Sequence, residues 1–170
     1  MDLPALPRAA VLFVPAQPRD FEWLLALRIE AMRESLERVG RFDVARARER
    51  FVSSFVAAHA QHIEADGRRV GFFATREAGG HLWLDHLYIH PSMQRRGVGA
   101  IALEVVIAEA SQKLLPVRVG ALKQSDSNRF YLRHRFKLVG EAEFDNYYVR
   151  RGDAAAPSVS ARPPSGGGLP

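Results

Sequence analysis

The sequence predicts a single α/β domain, with a mixed sheet of about seven strands flanked by about four helices. Three observations predict it. Strand-like and helix-like runs follow one another in the order β-α-α-β-β-β-α-β-α-β-β. Asp66-Gly67 stands between two apolar runs as a two-residue hairpin signal. A strand-like run that stops at Pro91 re-enters as a helix through Gly97 and Gly99. With 170 residues and 47% hydrophobic content, the chain can bury one proper core and is too short for two typical domains.

Ala9 to Val14 is a short apolar strand closed by Pro15. Gln17-Pro18-Arg19-Asp20 offers a helix start, and Leu25, Ile29, Met32, Leu36 and Val39 recur at alternating spacings of four and three until Gly40. That stripe predicts an amphipathic helix with those side chains buried. A second helix is expected from Asp43 to Ala58. His59 to Ala65 and Arg68 to Arg76 form the hairpin around Asp66-Gly67, which favours a type I′ turn. Ala78-Gly79-Gly80 turns the chain into a strand from His81 to Ile89, and a helix follows from Ala100 to Lys113. Val117 to Ala121, a short helix from Asp126 to His134, and strands Phe136 to Glu143 and Tyr147 to Arg151 complete the domain, set at 1–151. Residues 152–170 are Pro, Gly, Ser and Ala with almost no large apolar side chain; burial cannot offset their ordering entropy, and a disordered tail is expected.

Composition narrows the function. No cysteine is present, which excludes disulfides, thiolate catalysis and cysteine metal sites. No long apolar run and no basic-then-apolar leader occurs, so a cytoplasmic protein without a membrane partner is expected. The net charge of +5 admits nucleic acid, but the arginines are scattered and are not gathered on one element, so none is expected.

The sharpest feature is Gln94-Arg95-Arg96-Gly97-Val98-Gly99-Ala100 at the strand-to-helix junction. A helix start leaves backbone N–H groups unpaired, and the helix dipole favours negative charge there. Gly97 and Gly99 permit positive φ and close approach of a ligand, and Arg95 and Arg96 add charge. This is a site for a phosphate or pyrophosphate. Without a Gly-Lys-Ser/Thr ending or a third dinucleotide-type glycine, it is neither a P-loop nor a Rossmann fingerprint, and it needs no metal.

Leu87-Tyr88-Ile89-His90-Pro91-Ser92-Met93 and the loop after it resemble the acyl-CoA pyrophosphate segment of the GNAT superfamily of N-acyltransferases, whose pattern is Q/R-x-x-G-x-G/A. Ser125 to Phe136 resembles that family's helix ending in F-Y-x-x-x-G-F. The resemblance spans Ala9 to Arg151 and implies the GNAT fold, with the sheet splayed at a cleft for acetyl-CoA, and an N-acetyltransferase acting on a primary amine of a small molecule or protein. It further implies that the free strand amides of Leu87, Tyr88 and Ile89 pair with the pantetheine arm, that Gln94 to Ala100 hold the pyrophosphate, and that Tyr131 is the general acid. The assembly is expected to be a monomer or homodimer.

Two positions depart from that pattern. The cofactor-contacting asparagine, seven residues before the tyrosine, is Gln124 here, and Asn128 lies one turn on; either can serve. The glycine before the final Phe is Arg135; a left-handed backbone there would cost roughly 1 kcal/mol relative to glycine. These departures leave open a non-catalytic CoA-binding or sensor module of the same fold.

Strict strand alternation would put Trp83, Asp85, Leu87 and Ile89 on one face and Leu82, Leu84, His86 and Tyr88 on the other. Asp85 and His86 are both candidates to accept the amine's proton, and on opposite faces only one would point at it, unless a bend in the splayed strand turns both toward the cleft. Arg28, at the edge of the first helix's apolar stripe, and its neighbour Met32 are the candidate substrate contacts; an arginine in the cleft favours a substrate carboxylate or phosphate.

Overall fold

A computed structural model describes residues 4–152. The strands are β1 (Val11–Pro15), β2 (Ala60–Ala65), β3 (Arg68–Ala78), β4 (His81–Ile89), β5 (Val117–Leu122), β6 (Lys137–Glu141) and β7 (Asp145–Arg150). The α-helices are α1 (Phe21–Arg38), α2 (Val44–Ser54), α3 (Val98–Gln112) and α4 (Asp126–Arg133). The element order is the one the sequence predicts. The tail expected after Arg151 lies outside the described residues from 153 onward.

Local chemistry accounts for the boundaries. Asp43 caps α2 by accepting the Arg46 N–H at 3.1 Å, and the helix stops at Ser54, shorter than the periodicity suggested. Asp66 and Gly67 both have positive φ, 51° and 70°, as a type I′ turn requires.

The seven strands run in the order β1-β2-β3-β4-β5-β7-β6. Among the described strands only β4 and β5 are parallel, joined through α3, and their pairing covers just Leu82–Leu84 against Val117–Val119. Beyond Leu84 the two strands separate, while β5 stays paired with β7 out to Leu122. The sheet therefore opens as a wedge at its centre.

Each face carries its own core. Leu82, Leu84, Val98, Leu103, Val106 and Val119 pack under α3 and α4, and Leu24, Leu25, Leu27, Phe51, Phe72 and Ala74 pack under α1 and α2. The stripe expected to be buried along α1 is buried only in its first half. Met32 and Leu36 line cavities, because the last turns of α1 pass over the wedge and not over closed sheet.

A second departure from the sequence reading is a β-bulge. Ala74 pairs with His86 but Thr75 pairs with Leu84, so Asp85 is an extra residue in β4. Alternation resets at that point. Leu82 and Leu84 belong to the α3 face, and so do Leu87 and Ile89, whereas His86 and Tyr88 join Trp83 and Asp85 on the α1–α2 side. The assignment of Asp85 and His86 to opposite faces is thus incorrect. The bend at the splayed strand turns both toward one cleft.

Candidate active site

The site lies where β4 and β5 part, against the N-terminus of α3. Gly97, with φ 81°, is the residue that caps α3, and Arg95 before it is also left-handed at φ 60°. Val98, 1% exposed, anchors the helix start in the core. Ile101 donates to the Gly97 carbonyl at 3.0 Å. Among the described residues, the backbone N–H groups of Arg95, Arg96, Gly97, Val98, Gly99 and Ala100 meet no acceptor. Six consecutive amides without an acceptor are thus gathered at a helix start, with Arg95 and Gly97 left-handed, and this cradle is an arrangement suited to an anion.

The other residues of the loop divide by task. Gln94 Nε2 donates to the Ile89 carbonyl at 3.0 Å and closes the loop onto the strand. Arg96 is turned away from the cradle: its Nε donates to Pro4 O at 3.3 Å, and its carbonyl accepts the Leu6 N–H at 3.0 Å. Arg95 faces the start of α4, where Arg129 chiefly, and then Arg38 and Arg95, hold the Asp126 carboxyl below its usual range. Gly99 does not take positive φ. A Cβ there would sit 3.7 Å from Ile89 and from Phe130, an ordinary contact, so neither the backbone nor the packing demands glycine at this position.

Two cavities meet in the wedge. One, of about 140 Å³, runs along Leu87, Ile89, Gln94, Val119, Ala121 and Tyr131. The other, of about 330 Å³, opens between α1, α2 and the ends of β5 and β7. Met32, Leu84, Asp85, Tyr88, Gly120 and Leu122 line both. His86 and Arg28 line only the larger one, and Tyr131 only the narrower one.

Their environments set their proton chemistry apart. Tyr131 is 5% exposed, among Phe130, Phe136 and Tyr148, and burial, then the neighbouring Tyr88, pushes its phenol well above the ordinary value. Such a group holds its proton until a stronger base is created beside it. Burial also raises the Asp85 carboxyl, while Arg76, whose Nε lies 2.6 Å from Asp85 Oδ2, works in the opposite direction. His86 sits among Phe51, Phe72 and Tyr88, with ring centroids 5.3–5.9 Å away. Burial, then the Arg28 charge, drops its pKa to about 4, so it is neutral and a weak base near pH 7.

Asn128 is engaged within the fold. Its Nδ2 donates to the carbonyls of Leu122 and Ser125, each at 2.9 Å, and its Oδ1 accepts from Asn146 Nδ2 at 2.9 Å and Tyr148 Oη at 2.8 Å. Its amide ties β5, α4 and β7 together and has no capacity left for a cofactor, which corrects the expectation that it could serve. Gln124, left-handed at φ 62°, gives its carbonyl to Arg38 Nη1 at 2.9 Å. Arg135 is left-handed too, at φ 64°, so the turn that glycine makes in the resembling pattern is kept.

The sequence reading missed the far wall of the larger cavity. Arg41, Arg46, Arg50 and Phe144 line it, from the segment after Gly40, from α2 and from the β6–β7 turn. Only the four-residue spacing of Arg46 and Arg50 beside buried Ala47 and Phe51 carried a local signal.

The model of the Acetyltransferase (GNAT) family matches residues 22–136. The chain belongs to that family. No curated protein matches its sequence. Among solved structures, it is similar to the PaiA N-acetyltransferase of Thermoplasma acidophilum in complex with coenzyme A, at 15% identity and a TM-score of 0.67 over 83% of this chain and 98% of that one. An acetyltransferase from Thermus thermophilus gives 17% identity and a TM-score of 0.63 over 84% and 97%. The N-acetylglutamate synthase of Neisseria gonorrhoeae, complexed with coenzyme A and N-acetyl-glutamate, gives 18% and 0.61 over 84% of this chain and 35% of that one. At these identities the likeness is one of fold.

Proposed function

We propose that the protein is an N-acetyltransferase that moves the acetyl group of acetyl-CoA to a primary amine of a small molecule or protein. The observation that carries this is the junction of the two cavities at Asp85 and Tyr88, with Gln94, the residue just before the unpaired amides, lining the narrower one. The residues present fit the cofactor. The unpaired amides from Arg95 to Ala100 would hold the pyrophosphate, the β4 edge freed beyond Leu84 would pair with the pantetheine arm at Leu87 to Ile89, and Gln124 stands near the α4 end.

When bound, acetyl-CoA supplies an activated acyl carbon, whose bond to sulfur breaks as its bond to the amine nitrogen forms. The protein's part is placement and proton handling. The larger cavity holds the amine against the junction. Asp85, raised by burial and facing both cavities, accepts the ammonium proton directly or through water. Tyr131, in the narrower cavity, gives its proton to the departing sulfur; the second proton, shed by the nitrogen as the amide forms, passes to solvent, from which Tyr131 is restored. His86, neutral and enclosed by rings, forms the acceptor wall.

The sensor alternative drew its force from Gln124 and Arg135. Arg135 keeps the left-handed turn of the pattern and Gln124 keeps an amide, which supports the enzyme reading. The proposed setting is the cytoplasm, and the proposed assembly a monomer or homodimer; no described helix is long and apolar enough to cross a membrane. Incubation with acetyl-CoA and a panel of amines, following thiol release, tests the activity. Amine-dependent release is expected; CoA binding without release on any amine would favour the sensor.

A further inference from the structure

The larger cavity is unusually rich in arginine for a pocket that receives a cationic amine. Arg28, Arg41, Arg46 and Arg50 all line it. Most other arginines near α1 and α2 have carboxylate partners: Arg33 with Glu37, Arg38 with Glu34, Arg48 with Glu22. Among the described residues, none of the four cavity arginines forms an ion pair with a carboxylate.

Two of the four are held in place and still short of acceptors. Arg28 donates from Nη1 to the Ala47 carbonyl at 3.4 Å and lies 5.8 Å from the Phe51 centroid and 5.9 Å from that of Tyr88. Its Nε is buried and meets no acceptor. Arg41 is stacked on Phe144, 3.4 Å from guanidinium carbon to ring centroid, and its Nη1 is likewise buried and unpartnered. A buried polar group left without a partner is costly, and more so when it is charged. Phe144 fixes the plane of the Arg41 guanidinium, the rings of Phe51 and Tyr88 flank that of Arg28, and both side chains line the cavity. The acids that line the cavity are Asp43, Asp85 and Asp145, and none is ion-paired with these arginines: Asp43 caps α2 and Asp85 is paired with Arg76.

We infer that the acceptor is an amine that also carries an oxyanion, a carboxylate or a phosphoryl group, held by Arg28 and Arg41 while the amine reaches the Asp85–Tyr88 junction. Arg28 lies against Tyr88, which lines that junction, so the anion and the amine are a few bonds apart. Small amino acids and short aminoalkyl phosphates have this form; polyamines and simple alkylamines do not. This inference rests on the acetyltransferase reading for the role of the cavity, but its binding component stands alone.

The test separates the two. Calorimetry on the CoA-loaded protein would compare glutamate, γ-aminobutyrate and phosphoethanolamine with the amide of γ-aminobutyrate and with butylamine. Thiol release would be followed on the same compounds with acetyl-CoA. At least one oxyanion-bearing amine is expected to bind at least tenfold more tightly than the counterparts that lack the oxyanion, and the carboxylate and phosphate arms tell the two oxyanions apart. Arg28→Gln and Arg41→Gln should each reduce that preference tenfold or more, with CoA affinity unchanged as the check on folding. Amines without an oxyanion bound equally well, or preferences unmoved in both variants, would overturn the inference. Anionic binding without thiol release would instead uphold it and refute the transferase reading.

Discussion

Asp85 and His86 are adjacent in the chain and face the same cavity, because the one-residue slip of β4 against β3 cancels the alternation that would part them. Adjacent positions nevertheless give them opposite proton chemistry. Asp85 stands at the junction with a raised pKa, and His86 is sealed among rings with a lowered one.

Asp85→Asn should therefore remove the acidic limb of the kcat/KM profile and lower kcat about 100-fold. Burial raises the Asp85 carboxyl, so in the parent the limb lies above the ordinary carboxylate value and activity climbs with pH as the group ionises. An unchanged pH–rate profile in the variant would show that the amine loses its proton elsewhere.

His86 should report in stability and not in that limb. Between pH 6.5 and about 4 the unfolded chain protonates this ring and the folded chain does not, so stability is full above 6.5 and is lost as pH falls toward 4. The loss is on the order of 3 kcal/mol. In His86→Phe, Tm measured across that window should decline less steeply than in the parent.

Tyr131→Phe keeps the ring and removes the proton. Turnover should fall roughly 100-fold with acetyl-CoA affinity little changed. Stopped-flow separation of chemistry from product release would check it; equal chemical rates would exclude the acid role.

The cradle is tested by a matched pair at Gly97, whose φ of 81° disfavours most side chains. Gly97→Asn should retain CoA binding, since asparagine tolerates this backbone, whereas Gly97→Glu places a like charge at the pyrophosphate and should abolish it in calorimetry.

Asn128→Ala and Gln124→Ala should divide stability from affinity. The first strands part-buried partners of five hydrogen bonds and should cost about 3 kcal/mol in denaturant unfolding. The second should weaken CoA binding with Tm nearly unchanged.

What the sequence made legible is what local chemistry decides. Asp66-Gly67 specified its turn, Asp43 its cap, and Gly97 the loop at the head of α3. What stayed hidden depends on partners distant in sequence. The bulge at Asp85 exists only in register with Ala74 and Thr75 of β3. The half-exposed end of the α1 stripe follows from the parting of β4 and β5. Asn128 looked like a ligand until Asn146 and Tyr148 were seen to occupy its oxygen, and Arg41 gained meaning only once Phe144 stacked beneath it.

The clasp between Arg96 and the segment at Pro4 and Leu6 ties that segment to a loop 92 positions further along the chain. In the finished molecule, ligand occupancy of the loop and protease resistance of the leading segment should rise together. An affinity tag fused ahead of Pro4 has a direct mechanical route to cofactor affinity.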